Sequence, residues 1–212
     1  MTKTLFPGAV HLPWALTLEE QATLAEQCLA LGAGTPGRYQ PILRSGKPMK
    51  LQILCLGRHW NPVTYGYEAT RSDHDGLPAP PLPDNLRELA VAIAKRAGTA
   101  LEPDVCIINY YGTEGRLGLH QDRDERRDTL EAGVPIVSLS LGDDADFQVG
   151  GLNRRDRPTT VRLKSGDAFV LGGPSRLRFH GISRVHRGTA PRSCGIQSGR
   201  INLTFRQGAL CA

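Results

Sequence analysis

No run of apolar residues in this 212-residue chain approaches the roughly 20 that a helix needs to cross a bilayer, so nothing in it reads as a membrane span. Cysteine is scarce and scattered. Cys28, Cys55, Cys106, Cys194 and Cys211 are an odd number, with no Cys-x-x-Cys pair and no secretory segment ahead of them. That pattern reads as reduced thiols in a cytosolic protein, and a cytoplasmic location is expected. Internal repeats and low-complexity tracts are also missing.

What is present is ordinary for a globular chain, with 40% hydrophobic and 22% charged residues, enough to build a core within one domain. The formal net charge is +5. Arginines gather at Arg123, Arg126 and Arg127 and again at Arg154, Arg155 and Arg157. A basic balance of this kind suits a polyanion such as nucleic acid, and it equally suits a solvated surface kept for solubility.

Local signals divide the chain. Met1 to Trp14 reads as irregular or short strand. Thr17-Leu-Glu-Glu20 is a capping-box pattern that opens a helix, with Leu18, Ala22, Ala25 and Leu29 as its stripe, running to Leu31 and stopping at Gly32. Gly34 to Lys47 is a loop and Met49 to Leu56 a strand. His59, Trp60, Tyr65 and Tyr67 crowd a stretch broken by Pro62 and Gly66, and aromatics on such a loop can either stack nucleobases or pack inward. Asp84 is expected to cap a second helix carrying Leu86, Leu89, Ala90, Ile93 and Ala97, ended by Gly98.

From Val105 on, short strands alternate with turns: Val105–Tyr111, Leu117–Asp122, Pro135–Leu141, Asp146–Val149, Thr159–Leu163, Ala168–Leu171, Leu177–His180 and Arg200–Arg206. Gly181 to Gly199 reads as an exposed polar loop, and Asp143 and Asp144 as a turn. Eight strands point to an α+β, mainly β fold: a double-stranded β-helix, or jelly roll, with flanking N-terminal helices. The expected organisation is a single domain over 1–212, with helices and a nucleotide-recognition loop region in 1–100 and the jelly-roll core in 101–212.

Chemistry concentrates in His120-Gln-Asp122. On a strand, residues i and i+2 share a face with Cα atoms roughly 6–7 Å apart, so one metal ion can touch both. A second imidazole, His180, follows sixty positions on. Two histidines and one carboxylate with open positions are the facial triad of non-haem Fe(II) oxygenases. The last strand puts Arg200, Asn202, Thr204 and Arg206 on one face and Ile201, Leu203 and Phe205 on the other. Arginine binds carboxylate in bidentate fashion, which suits an anionic co-substrate. On an ideal strand the Cα atoms of Arg200 and Arg206 lie roughly 20 Å apart, so Arg200 is assigned to the distal carboxylate of a small dicarboxylate and Arg206 to its metal-proximal end. His59 and His186 lack a partner at i+2 and are read as surface or core residues.

His120-Gln-Asp122-x-Asp124-Glu125, Pro135-Ile-Val-Ser-Leu-Ser-Leu-Gly142, Phe147-Gln-x-Gly-Gly151, Gly172-Gly-x-Ser-Arg176, Phe179-His180-Gly181 and Asn202-Leu-Thr-Phe-Arg-Gln207 together resemble the AlkB family of Fe(II)/2-oxoglutarate dioxygenases. The likeness covers about Asn109 to Gln207, and more loosely His59 to Tyr67. It implies that His120, Asp122 and His180 hold Fe(II). Asn109, Tyr111, Arg200, Asn202 and Arg206 would surround 2-oxoglutarate, with O2 as the second co-substrate. Trp60 and Tyr67 would flank the damaged base, Asp124 would contact its exocyclic or ring nitrogen, and Arg154 would hold the lesion strand or a nearby phosphate. The implied activity is oxidative demethylation of 1-methyladenine and 3-methylcytosine in single- or double-stranded DNA, with RNA as a further substrate, by a monomer. Two other readings stay open: the same oxygenase chemistry on tRNA or protein, and a non-catalytic nucleic-acid binder that keeps a metal for structure. Departures from the family's bacterial repair members are the longer Arg126–Val134 stretch and Leu171, where an aromatic is usual; both bear on substrate preference.

Overall fold

The computed structural model describes residues 2–208; Cys211 lies outside them. A seven-stranded antiparallel sheet runs in the order β1 (Lys3–Phe6), β2 (Ala9–Leu12), β11 (Ala168–Leu171), β8 (Ile136–Gly142), β13 (Arg200–Arg206), β6 (Val105–Tyr111), β3 (Gln52–Leu56). A four-stranded sheet faces it in the order β10 (Thr159–Leu163), β9 (Asp144–Val149), β12 (His180–His186), β7 (Leu117–His120). This is the expected jelly roll. Strands β1, β2 and β3 come from the first hundred residues, so the larger sheet takes strands from both halves of the chain.

Strand alternation builds two cores from one sheet. Cys106, Ile108, Leu203 and Phe205 point to the outer face of the larger sheet and pack on α1 (Leu18–Ala33) and α2 (Asp84–Arg96). Ile107, Phe147, Val149 and Phe169 point between the sheets. Along β13 the residues between the apolar ones are therefore directed into the barrel, which is how Arg200, Asn202, Thr204 and Arg206 reach it.

Helix α1 has the expected capping box: Thr17 Oγ1 accepts from the Glu20 backbone N–H at 3.2 Å, and Glu20 accepts from the Thr17 N–H at 2.7 Å. Its buried stripe differs from expectation. Gln21, Leu24, Ala25, Cys28 and Gly32 face the sheet, while Leu18 and Leu29 are exposed. The helix turns this way because Gln21 satisfies its amide inside, donating to Leu16 O and accepting from Ser165 Oγ. Gly32 is not a terminator. A Cβ there would sit 2.8 Å from the Tyr110 hydroxyl, so the glycine lets the helix lie on Tyr110, and the helix continues to Ala33. At α2 the cap is Pro83, with Asp84 already the first helical residue and no side-chain cap bond. Of the expected stripe, Leu86, Ala90 and Ile93 are buried, and Leu89 and Ala97 are partly buried against the same core.

The other corrections are local. The strand expected at Leu177–His180 begins at His180 and runs on to His186, taking the first residues of the expected Gly181–Gly199 loop. A register shift between Ile182 and Arg184 breaks the period of two there, so the burial of Ile182 and Val185 is hidden in the sequence. Asp144 opens β9, while Asp143 makes the turn and accepts backbone N–H groups from Thr189, Ala190 and Gly199. The segment Arg126–Val134 holds a short helix, α3 (Arg127–Glu131). The aromatic stretch forms a hairpin of β4 (His59–Asn61) and β5 (Gly66–Glu68). No described helix is long and apolar enough to cross a membrane, and the four described cysteines are free and buried.

Candidate metal centre and substrate cavity

His120 closes β7 and His180 opens β12, and the two are direct cross-strand partners. Asp122 follows two residues past the end of β7. The three side chains therefore meet at one end of the smaller sheet, each offering a ligand atom within 4.8 Å of the others. His120 Nε2 and His180 Nε2 both lie 3.4 Å from an Asp122 oxygen, and bonds of roughly 2.1 Å to a common ion span that separation.

Second contacts fix which nitrogen faces inward. His120 Nδ1 lies 2.9 Å from Gly118 O and His180 Nδ1 lies 2.9 Å from Arg178 O. A carbonyl only accepts, so each Nδ1 carries a hydrogen and each ring turns its Nε2 toward the carboxylate, the nitrogen a metal would take. Two imidazoles and one carboxylate fit Fe(II), and they leave positions for a chelating co-substrate and O2. Gly181 is required beside them, because a Cβ there would come within 2.5 Å of Leu117 O.

Around Asp122 the charges form a chain. Arg206 reaches Asp122 Oδ2 at 3.0 Å, the Tyr67 hydroxyl at 2.8 Å and Glu125 at 3.7 Å. The Tyr67 hydroxyl donates to Glu125 at 3.2 Å. Arg176 lies 2.9 Å from Glu125 Oε2, an ionic contact without hydrogen-bond alignment, and donates to the Asp122 carbonyl at 2.5 Å. Burial pushes the Asp122 carboxyl up; the Arg206 guanidinium and the two imidazoles override it and hold the group well below the usual carboxylate range. Glu125 and Arg176 stood in the quoted motifs without a role. No sequence signal marks them as buried: Glu125 stands in a charged run, Asp122 to Arg127, and Arg176 follows Gly-Gly-Pro-Ser.

A cavity of about 830 Å³ opens from the triad. Its lining includes Asn109, Tyr111, Arg200, Asn202 and Arg206, as well as Trp60, Asp124 and Arg154. Among the described residues Arg200 is buried with neutral partners, donating to Ser140 Oγ at 2.6 Å and Asp143 O at 3.2 Å. Burial lowers its pKa to about 10. Arg200 Nε and Arg206 Nε are both buried without a hydrogen-bond partner among the described residues. Two unbonded guanidinium N–H groups on one cavity fit a small dicarboxylate, above all at Arg200, which has no ion pair among the described residues and whose buried charge is costly until an anion meets it. Asn109 is loosely held, its amide contacts all at 3.4–3.5 Å, whereas Asn202 donates to Ser138 Oγ and Leu139 O at 2.7 and 2.8 Å.

At the opposite wall the Trp60 indole N–H donates to Asp124 Oδ2 at 2.8 Å. Burial pushes the Asp124 carboxyl up despite that bond. Tyr67 pairs with Trp60 across the hairpin but spends its hydroxyl on Glu125 and Arg206. Tyr65, given no role in the sequence, lines the cavity instead. Arg154 stands at the rim with its guanidinium 5.7 Å from the Phe179 ring centroid, and Arg155 and Arg157 face solvent. His59 and His186 stay outside the centre, bonded to Asp73 at 2.5 Å and Asp146 at 2.9 Å. Leu171 is buried in the cavity wall.

Comparison with known proteins agrees with this geometry. The family model described as the 2OG-Fe(II) oxygenase superfamily matches residues 8–206. An alpha-ketoglutarate-dependent dioxygenase AlkB homolog of Caulobacter vibrioides is 38% identical over 96% of this chain and 89% of its own length. The DNA N(6)-methyladenine demethylase ALKBH1C of Arabidopsis thaliana is 38% identical over 95% of this chain, which spans only 48% of that relative. The solved structure of OsALKBH1 superposes with a TM-score of 0.91 at 37% identity, covering 98% of this chain and 100% of that one. On motif, triad and matched length alike, the chain belongs to the 2OG-Fe(II) oxygenase superfamily and, within it, to the AlkB family.

Proposed function

We propose that this protein is an Fe(II)- and 2-oxoglutarate-dependent demethylase of alkylated DNA, acting as a monomer on 1-methyladenine and 3-methylcytosine in single- or double-stranded substrate. RNA is a further substrate on the same chemistry. The observation that carries the reading is the Asp124 carboxylate, fixed by Trp60 at 2.8 Å on the wall of the cavity that holds the triad. Methylation at those ring nitrogens makes the base cationic, and a half-buried carboxylate favours a cation over a neutral base.

His120, Asp122 and His180 would hold Fe(II), which with O2 and 2-oxoglutarate supplies the oxidation of an N-methyl group to N-hydroxymethyl, leaving succinate and CO2. The N–CH2OH group of the cationic base then breaks its C–N bond, leaving as formaldehyde with release of its hydroxyl proton, and the ring nitrogen recovers its lone pair in the neutral base. The chain's own residues do the positioning. Arg200 and Arg206 offer their free Nε donors to the co-substrate carboxylates, with Asn109, Tyr111 and Asn202 beside them. Trp60 presents a flat wall to the base, Tyr67 holds Arg206 in register, and Arg154 meets the lesion strand at the rim. A base in duplex must leave the stack to enter, at a few kcal/mol.

A second reading is demethylation of N6-methyladenine, favoured by the names of the plant relatives. That base is neutral and gains little from Asp124. Both are tested by incubating the protein with Fe(II), ascorbate, 2-oxoglutarate and oligonucleotides carrying each of the three modified bases, followed by mass spectrometry of the nucleosides. Loss of the methyl group from the two cationic bases is expected. Succinate formed with no change in any oligonucleotide would overturn the reading.

A further inference from the structure

Tyr65 sits where an aromatic side chain gains little from the fold. Its backbone is left-handed, with φ of 57°, a conformation strained for a non-glycine residue. Its side chain is 45% exposed, as is that of Val63 two residues before. The turn is nevertheless firmly built. Asn61 is buried, its Oδ1 accepts the N–H groups of Val63 and Thr64 at 2.8 and 3.1 Å, and its carbonyl accepts from Tyr65 N at 2.9 Å. The Asn61 amide in turn donates to Glu68 and Ser72. A rigid hairpin tip thus holds a strained, exposed ring at the cavity mouth.

The ring is not placed to sandwich a base against Trp60. A base between two aromatic faces needs them parallel and about 7 Å apart, twice the stacking rise of roughly 3.4 Å. The Trp60 and Tyr65 centroids are 6.2 Å apart and the planes tilt by 58°. Trp60 cannot turn to meet it without breaking its bond to Asp124. Tyr65 therefore serves something at the mouth and not inside the cavity.

We propose that Tyr65 stacks on the nucleobase adjacent to the one that enters the cavity, and so sets the enzyme's dependence on the neighbouring nucleotide. The inference rests on the proposed nucleobase substrate. Base–aromatic stacking tolerates any sequence because every base has a π-face, and its loss lowers affinity roughly 5- to 150-fold. Purines, with the larger face, should be the favoured neighbours.

The test uses two single-stranded oligonucleotides that carry the same 1-methyladenine, one flanked by adenines and one flanked by abasic sites. Tyr65→Ala should lower kcat/KM at least fivefold on the first and leave the second and the KM for 2-oxoglutarate unchanged; Tyr65→Phe should behave as wild type. Binding is read separately from turnover, with 2-aminopurine as the flanking base, whose fluorescence wild type quenches and Tyr65→Ala does not. Equal loss on both oligonucleotides would place Tyr65 against the entering base, and no loss on either would make it a mere surface residue; each result overturns the proposal. Quenching without demethylation would retain the contact while removing the proposed reaction.

Discussion

The guanidinium of Arg206 lies 3.0 Å from the carboxylate of Asp122, so the last strand of the barrel touches the candidate metal ligand set directly. That contact keeps Asp122 ionised in a buried site and holds one of its oxygens in place. Arg206→Met should weaken metal affinity by roughly 10- to 100-fold, the usual effect of losing a partner of a ligand. Titration with Mn(II) as a stable substitute for Fe(II) checks this. Asp122→Ala should abolish both metal binding and succinate formation while its circular dichroism stays that of the folded chain.

Arg200 is a buried cation with no anionic partner among the described residues. Truncating one member of a buried charge pair typically costs 2–5 kcal/mol, so Arg200→Met should raise the KM for 2-oxoglutarate by roughly two orders of magnitude. Mn(II) affinity should be unchanged. Added 2-oxoglutarate should raise the Tm of the metal-loaded wild type and leave that of Arg200→Met where it was, because only a ligand that binds the folded state shifts it.

Asp124 faces the cavity from the Trp60 side. Asp124→Asn keeps the hydrogen bond and removes the charge. Demethylation of 1-methyladenine and 3-methylcytosine should fall about tenfold or more, and any activity on N6-methyladenine should change far less. Parallel kinetics on the three oligonucleotides measure the ratio.

Asp167 ties the N-terminal strands to the barrel, accepting from the Trp14 and Lys164 N–H groups at 3.0 Å each and lying 2.9 Å from His11 Nε2. Burial pushes its carboxyl up, but those hydrogen bonds outweigh burial and hold it below the usual range. A depressed folded value means the unfolded chain takes up the proton first. The stabilisation is therefore complete above the ordinary aspartate value of about 3.9 and is lost as pH falls through the lower folded one. Urea unfolding at neutral pH should show Asp167→Asn less stable by about 1–3 kcal/mol, with the gap to wild type closing in acid.

Tyr65→Gly removes a left-handed non-glycine residue from an exposed turn. Stability should rise by about 1 kcal/mol, visible as a higher Tm, even as the response to flanking bases is lost.

The sequence by itself determined the elements whose signals are local or repeat at a fixed period: the Thr17 capping box, the stripe of α2, and the alternation along β13 that turns Arg200 to Arg206 toward one face. It also pointed to the candidate metal set that the structure brings together, because His120 and Asp122 sit two residues apart and His180 lies within a motif of its own. Only the tertiary structure decided what depends on partners far along the chain. Gln21 instead of Leu18 faces the core because Ser165 answers its amide; Gly32 continues a helix because Tyr110 needs the room; β12 runs past His180 because β9 pairs with it as far as His186, across a register shift that hides its period. Likewise the pairing of Arg206 with Asp122 and Glu125, the orphaned donors of Arg200, and the choice of Tyr65 over Tyr67 at the cavity wall follow from how two sheets and a hairpin close on one another. Hydrogen bonds and buried charges are satisfied across space, and spacing along the chain carries no record of which groups will meet.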